Sequence, residues 1–126
     1  MATTRYTKDH EWIRIENGSG VCGITDYAQK AMGDIVYVEL PPLGKGVKKG
    51  EMTAVVESSK TASEVYAPIE GEVCAVNDAL SAEPGTVNTD PLGKGWLFTL
   101  QPGDVAQLDQ LMDETTYQNY VLGLLT

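Results

Sequence analysis

The chain has 126 residues, 42% of them hydrophobic, and a formal net charge of −9. This length and composition are typical of one globular domain, and the negative charge disfavours nucleic acid and anionic membranes as partners. No apolar run reaches the ~20 residues of a transmembrane helix, and the N-terminal segment lacks the apolar core of a secretory signal. We therefore expect a cytoplasmic protein, or a mitochondrial one if the chain is a mature eukaryotic protein.

The first third of the chain predicts a hairpin, a helix and a further strand. The segment EWIRIE at residues 11–16 alternates like a half-buried strand, and ENGSG predicts a turn into the partner strand GVCGI. TDYAQKAMG predicts a compact helix, with Asp26 and Gln29 as a capping pair and Gly33 as its stop. DIVYVEL then predicts a strand that is halted by the two prolines after it.

The rest of the chain predicts more strands and then helices. MTAVVE and SEVYAP flank a short polar turn, GEVCAV follows a glycine-marked turn, and GWLFTL reads as the last strand. Apolar residues then recur at helical spacing through DVAQLDQLM and DETTYQNYVLGLL. We therefore predict a mainly β fold in a single domain of residues 1–126. A sandwich or flattened barrel of two sheets would occupy residues 5–103, with short helices, and a helical C-terminal extension would occupy 104–126.

The chain has two cysteines, Cys22 and Cys74, and both lie in apolar strand-like segments. We expect buried, reduced thiols rather than a disulfide. One histidine and no paired cysteine spacing also argue against a zinc site.

Lys60 has an unusual position in the sequence. It is the only Lys or Arg between Lys49 and Lys94, an interval with eight Asp and Glu residues. Its neighbours are small Ser, Thr and Ala residues that predict a tight, hydrogen-bonded turn. An exposed amine on such a turn, with steric clearance around it, suits covalent modification of the lysine. On spacing alone, however, a solvated turn lysine is the commoner explanation.

Five segments, in order, resemble the glycine cleavage system H-protein family. VVESSKTASEVYAPIEGEV resembles the family's lipoyl-lysine hairpin, YTKDHEWIRIE its opening, and GITDYAQKAMGDIVYVELPPLG its second block. VNTDPLGKGWLFTL is similar to its closing strand, and LDQLMDETTYQNY to its terminal helices. The resemblance runs from about Tyr6 to Tyr120. It implies a biotinyl/lipoyl-type sandwich, which agrees with the strand pattern.

The resemblance implies roles for three residues of the hairpin region. Lys60 would carry lipoic acid in amide linkage, and Glu57 would be read by the lipoate-attaching enzyme. Gly71 matches a glycine typical of the far side of the hairpin. The family more often has Val before the lysine and Ala after it, where this chain has Ser59 and Thr61. Both changes are small and polar, so we expect attachment to persist.

The resemblance also implies a carrier rather than an enzyme. The lipoyl arm would take an aminomethyl group from a PLP-dependent glycine decarboxylase and deliver it to a folate-dependent aminomethyltransferase. Dihydrolipoamide dehydrogenase would then reoxidise the arm by thiol–disulfide exchange. We expect a monomer that visits each of these enzymes, where tethering raises the local concentration of the sulfurs.

In the family, the loaded arm, which carries a cationic aminomethyl group, is understood to retreat into a surface cleft. A carboxylate there would hold the ammonium by a charge-assisted hydrogen bond. Glu11 and Glu64 are our candidates, with Asp9 as a weaker third; ordinary solvated acids are the alternative. His10 beside Glu11 could suggest acid–base catalysis. No Ser or Cys nucleophile motif accompanies it, so we expect a structural role.

Three other interpretations remain open. A biotin carrier has the same fold logic, but its acceptor lysine normally lies between methionines. A lipoyl domain, or a relay protein that passes lipoyl groups to 2-oxoacid dehydrogenases, would use the same hairpin; such a domain is typically shorter and part of a larger chain. A small hydrolase or an unmodified binding sandwich would leave Lys60 an ordinary turn residue.

Overall fold

The computed structural model describes residues 3–125 and contains two antiparallel sheets. The larger sheet has the order β1-β2-β3-β9-β8-β5 and consists of β1 (Thr3–Tyr6), β2 (Glu11–Glu16), β3 (Ser19–Ile24), β5 (Gly46–Val47), β8 (Gly71–Val76) and β9 (Phe98–Pro102). The smaller sheet has the order β4-β6-β7 and consists of β4 (Ile35–Glu39), β6 (Met52–Ser58) and β7 (Ala62–Tyr66). The predicted two-sheet β fold is confirmed.

In the described part of the chain, three α-helices and two 3₁₀ helices accompany the sheets. They are α1 (Asp26–Met32), α2 (Thr86–Thr89), α3 (Glu114–Leu124) and the 3₁₀ helices Asp78–Ser81 and Val105–Gln110. The predicted helical tail is present, although its first part is 3₁₀ rather than α-helical. Within residues 3–125, no helix is long and apolar enough to cross a membrane.

The predicted alternation of burial along residues 11–16 is wrong for the first half of the strand. Glu11, Trp12 and Ile13 are all buried, because β2 is covered on both faces. Ile13 packs into the main core between the sheets. Trp12 packs on the opposite face against Tyr6 and against Tyr117 of α3. The C-terminal helix therefore forms a second, smaller core on the outside of the larger sheet.

The capping pair predicted for α1 is also wrong. Thr25, one residue earlier, has extended backbone angles and accepts a hydrogen bond from Ala28 N–H at 3.3 Å. Asp26 already lies within the helix, and its carboxylate accepts a hydrogen bond from the Gln29 side chain instead. The predicted stop is confirmed, since Gly33 ends the helix with φ of +84°, a value that favours glycine.

The cysteine prediction is correct for one residue and wrong for the other. Cys22 is buried and Cys74 is exposed, and both thiols are free. Val73 of β8 points into the core at 1% exposure. Side chains alternate between the faces of a strand, so Cys74 faces outwards.

Candidate functional site: an exposed lysine beside an acidic cleft

The turn that carries Lys60 joins β6 to β7 and is held together by Ser58. The strands are paired up to Glu57 and Ala62, and Ser58 N–H then donates to Thr61 O at 2.8 Å. The Ser58 hydroxyl accepts hydrogen bonds from the backbone N–H groups of Lys60 and Thr61, each at 3.2 Å. The predicted tight turn is present, with Lys60 next to its tip.

Lys60 is exposed, as predicted. The predicted steric clearance around its side chain is incomplete, because the side chain contacts the end of α1. A methyl group placed on Gly33 would lie 3.2 Å from Cε of Lys60 and 3.5 Å from Nζ. The end of the Lys60 side chain therefore lies against the C-terminal end of α1, and a side chain at residue 33 would press on it. Within residues 3–125, Lys60 takes part in no ion pair.

The two other residues of the hairpin motif lie in different sheets. Glu57 is half-buried on β6, where it is paired with Tyr37 and Ala62. Gly71 is not part of the hairpin, since it begins β8 in the larger sheet. A Cβ on Gly71 would lie 2.6 Å from the carbonyl oxygen of Gln101. This close approach of two strands explains the glycine sterically.

A cleft of about 170 Å³ opens between α1 and β7. It brings together the three acids chosen from the sequence, Asp9, Glu11 and Glu64, with His10 among them. The rest of its lining comes from Ile24, Tyr27, Ala28, Ala31, Met32, Val56, Ser63 and Val65. Met32 immediately precedes the glycine on which the Lys60 stem lies, so the cleft begins beside the lysine.

Glu11 is not an ordinary solvated acid. It is 2% exposed, and its carboxylate accepts hydrogen bonds from the Thr7 hydroxyl at 2.9 Å and from Tyr66 N–H at 2.8 Å. Burial raises the pKa of Glu11 to about 7, even though both hydrogen bonds act to lower it. Each carboxylate oxygen can accept a further hydrogen bond. Glu11 is therefore a buried acid whose oxygens contact Thr7 and Tyr66, whereas Glu64 is exposed.

The cleft suits a long, mostly apolar arm with a cationic end. Two alanines, Met32 and the valines provide an apolar wall close to Lys60. Ligand sites commonly combine such walls with a few polar groups that fix orientation, and here those groups are carboxylates. A dithiolane on an alkyl chain therefore fits the residues that line the cleft. Separately, no cluster of side chains within residues 3–125 could hold a metal ion.

His10 connects the cleft to the C-terminal helix. Its Nδ1 lies 2.8 Å from the Tyr117 hydroxyl, which in turn lies 2.7 Å from the Thr25 hydroxyl. The imidazole also contacts the Tyr27 ring, with centroids 4.4 Å apart. Burial lowers the pKa of His10, although nearby Asp9 acts in the opposite direction. These contacts are consistent with the structural role predicted for His10.

Comparison with known proteins gives a consistent result. The family model described as glycine cleavage H-protein matches residues 4–122. The chain belongs to the glycine cleavage H-protein family. Members of this family carry a lipoyl group in glycine cleavage, and this is the function of the chain.

Individual members of the family are similar over nearly their whole length. A glycine cleavage system H protein from Beijerinckia indica is 58% identical over 121 residues, which cover 96% of this chain and 98% of the relative. One from Thermus thermophilus is 57% identical over 113 residues, covering 90% and 88%. The crystal structure of the Mycobacterium marinum H protein gives a TM-score of 0.85 at 40% identity, covering 93% of this chain and 94% of that one. The predicted lipoyl-type sandwich is thereby confirmed.

Sequence reasoning found the acids of this H-protein cleft but missed the aromatic residues around His10. Tyr27 and Tyr117 were assigned only to helices, because their spacing predicts a buried helical face and nothing more. The contact between His10 and Tyr117 joins residues 107 positions apart. No local pattern in the sequence indicates a contact over that separation.

Proposed function

We propose that Lys60 is the lipoyl attachment site, with lipoic acid bound as an amide to Nζ. The observation that carries this proposal is an exposed lysine on a turn fixed by the Ser58 hydroxyl. An attaching enzyme needs access to the amine and a backbone that presents it reproducibly. The absence of other Lys and Arg residues between Lys49 and Lys94 supports selective modification.

Glu57 is the residue of the hairpin that the lipoate-attaching enzyme recognises. It lies on the same strand as the start of the turn, three residues before Lys60. Its position beside exposed Tyr37 gives an enzyme that reaches the lysine a carboxylate and an aromatic ring to contact. The sequence changes at Ser59 and Thr61 lie at the exposed tip, which supports their being tolerated.

The chain acts as a carrier within the glycine cleavage system rather than as an enzyme. Its partners are glycine decarboxylase, aminomethyltransferase and dihydrolipoamide dehydrogenase. When bound, the lipoyl group supplies a disulfide that is reduced as cargo is taken up and is reoxidised afterwards. The chain's own residues present the arm, shelter it and contribute a negative surface that steers basic partner sites towards it.

The cleft between α1 and β7 shelters the loaded arm. Buried Glu11 on β2 and exposed Glu64 on β7 bind the cationic amine, and Asp9 adds negative charge. The Lys60 stem already lies against the end of α1, so an arm extending from it can reach the apolar wall without rearrangement of the turn. Binding there removes the cargo from bulk water.

Residues 1–126 form one lipoyl-carrier domain, with residues 5–103 as its core and 104–126 as an extension; residues 1, 2 and 126 lie outside the described part. Tyr6 and Met112 exchange two backbone hydrogen bonds, and the Tyr6 and Tyr117 rings stack 4.7 Å apart, so the extension is tied to β1.

The relatives reported above are bacterial, which supports a cytoplasmic location. The carrier acts as a monomer that exposes Lys60.

The test is the intact mass of the protein purified from its native host, followed by peptide mapping. The proposal predicts one lipoyl group at Lys60 and none at Lys30 or Lys94, which serve as internal controls on the same chain. A biotin-sized increase would instead support a biotin carrier. An unmodified Lys60 in protein that is active in glycine cleavage would overturn the assignment.

A further inference from the structure

The hydrogen-bond chain behind His10 determines which ring nitrogen carries the proton. The Thr25 hydroxyl oxygen accepts from Ala28 N–H, and the residue is 3% exposed. The Tyr117 hydroxyl is the acceptor within reach of the Thr25 hydroxyl proton, at 2.7 Å. Since a buried hydroxyl proton without an acceptor is costly, Thr25 donates to Tyr117.

The rest of the chain follows from that first donor. With its oxygen accepting from Thr25, the Tyr117 hydroxyl directs its own proton to Nδ1 of His10, 2.8 Å away. Nδ1 is therefore an acceptor, and a neutral imidazole must then carry its proton on Nε2. Burial also lowers the pKa of His10, which favours the neutral ring at pH 7.

Nε2 has no hydrogen-bond partner within the described residues 3–125, and His10 lines the cleft. Since Tyr117 occupies Nδ1, the Nε2–H group is the polar part of the ring that remains for a ligand. The acids of the cleft supply acceptor oxygens for a cation. The cleft therefore offers two different chemistries, a cation site and an uncharged donor.

We propose that His10, as the neutral tautomer protonated at Nε2, donates a hydrogen bond to an acceptor atom of the loaded arm. The inference rests on the proposed function of the cleft and deepens it. An arm attached to Lys60 has two kinds of acceptor, the amide carbonyl oxygen and the sulfur that carries no cargo. The carboxylates bind the ammonium, while His10 fixes the uncharged part of the arm. Tyr117 is a positioning residue that holds the ring in this tautomer.

Two features of His10 support a fixed position rather than a mobile side chain. Its backbone φ is +68°, a left-handed conformation that is uncommon for residues other than glycine, and its carbonyl accepts from Thr25 N–H at 2.9 Å. Its ring lies among three tyrosines, Tyr27, Tyr117 and Tyr120. The titratable groups that face it are Asp9 before it, Glu11 on β2, Tyr27 on α1, Glu64 on β7 and the two tyrosines of α3.

The first test is the tautomer, measured by long-range ¹H–¹⁵N NMR correlation on ¹⁵N-histidine-labelled protein. The chain has one histidine, so its signals need no assignment. We expect the Nε2–H form in the unmodified protein at pH 7. The Nδ1–H form, an even mixture or a protonated ring would overturn the inference, and this result does not depend on any lipoyl chemistry.

Two matched variants test the positioning role of Tyr117. Tyr117→Phe removes the donor to Nδ1, so the two neutral tautomers should mix. Tyr120→Phe is the control, because its hydroxyl donates to the Lys8 carbonyl and its ring lies 5.8 Å from the imidazole. An unchanged tautomer in Tyr117→Phe would overturn the positioning role. The wild-type measurement stands even if that variant fails to fold.

The second test compares unmodified, lipoylated and loaded protein, with loading by glycine decarboxylase and glycine. We expect the Nε2 signal to shift on loading. Protein octanoylated at Lys60 distinguishes the acceptors, because it has the amide carbonyl but no sulfur. A shift of Nε2 with octanoyl assigns the carbonyl oxygen. The sulfur is assigned if the octanoyl arm moves the methyl signals of the cleft without shifting Nε2, and the loaded lipoyl arm shifts Nε2.

Methyl signals of Ala31 and Met32 report independently on whether the arm enters the cleft. If the methyl signals shift while the His10 nitrogen signals do not, the donor role is wrong, and the proposal that the cleft shelters the arm still stands. If neither set of signals shifts, the proposed shelter itself fails, and the donor role fails with it.

His10→Asn, which tolerates the left-handed backbone, should shorten the lifetime of the loaded arm by roughly tenfold.

Discussion

The turn that presents Lys60 is built from contacts within four residues, whereas the cleft beside it is assembled from distant parts of the chain. Ser58 alone joins the ends of the turn. In the cleft, the carboxylate of Glu11 is held by Tyr66, 55 residues away, and His10 by Tyr117, 107 residues away. A lysine that enzymes must reach needs only a local scaffold. A site that shelters a charged cargo needs buried acidic groups. Burying such groups requires contacts from distant parts of the chain.

The largest effect expected from this difference is the cost of burying Glu11. Its pKa is raised in the folded protein from 4.5 to about 7, so the folded state binds this proton more tightly than the unfolded state. The free energy of unfolding should therefore fall by about 3 kcal/mol between pH 4.5 and pH 7 and change little above that. Urea titrations of wild type and Glu11→Gln at pH 5 and pH 8 measure this contribution by difference. Parallel pH dependences of the two proteins would contradict it.

The same buried carboxylate should dominate retention of the loaded arm. A charge-assisted hydrogen bond contributes about 1.5–3 kcal/mol, so at pH 8, above the pKa of Glu11, Glu11→Gln should release cargo about tenfold to a hundredfold faster. Exposed Glu64 should matter less, since exposed ion pairs contribute about 0.2–1 kcal/mol, a change of up to roughly fivefold. Decay of the loaded form over time measures both, with exposed Glu39→Gln on β4 as the control. Equal decay of all three variants would show that the cleft does not hold the amine.

Substitution of Gly71 should lower the stability of the larger sheet and leave lipoylation of Lys60 unchanged. Gly71→Ala places a Cβ 2.6 Å from the Gln101 carbonyl oxygen, and overpacking of this kind costs about 1–3 kcal/mol. The matched control is Gly46→Ala on β5, where a Cβ would meet nothing within 4 Å. Thermal unfolding compares the stabilities, and in vitro lipoylation of the folded variants compares attachment. A Gly71→Ala protein of normal stability that is not lipoylated would show that the glycine is read directly by the attaching enzyme.

The smallest effect concerns the turn itself. Ser58→Ala leaves the N–H groups of Lys60 and Thr61 without their acceptor, and the long distances of 3.2 Å suggest a loss of about 1 kcal/mol. The neighbouring exposed Ser59→Ala should change nothing. Initial rates of lipoylation and urea titrations of both variants give the comparison. A slower attachment in Ser59→Ala than in Ser58→Ala would contradict the account of the turn.

Local patterns in the sequence were enough to predict most strands, the stop of α1 at Gly33 and the exposed turn at Lys60. They failed where the tertiary structure decides. Residues 11–16 have the pattern of a half-buried strand, yet both faces of the first half of β2 are buried because α3 returns to cover the outer one. The short elements β1, β5 and α2 were not predicted, since segments of two to four residues carry too little periodicity.

The candidate site could be predicted only in part. The choice of Glu11 and Glu64 came from family resemblance, and the structure places both in one cleft. Nothing in the sequence indicates that Glu11 is buried while Glu64 is exposed. The partners of His10 could not be found either, because Thr25 and Tyr117 meet it only after the larger sheet and α3 have packed.

The central claim is that the amine of Lys60 anchors the lipoyl group through which the chain serves glycine cleavage. Exchange of bicarbonate into the carboxyl group of glycine, catalysed with the partner decarboxylase, tests it most directly. Lys60→Arg keeps the positive charge and cannot form the amide, so exchange should fall to background, while the exposed control Lys94→Arg should match lipoylated wild type. Full exchange with Lys60→Arg protein that carries no lipoyl group would contradict the account.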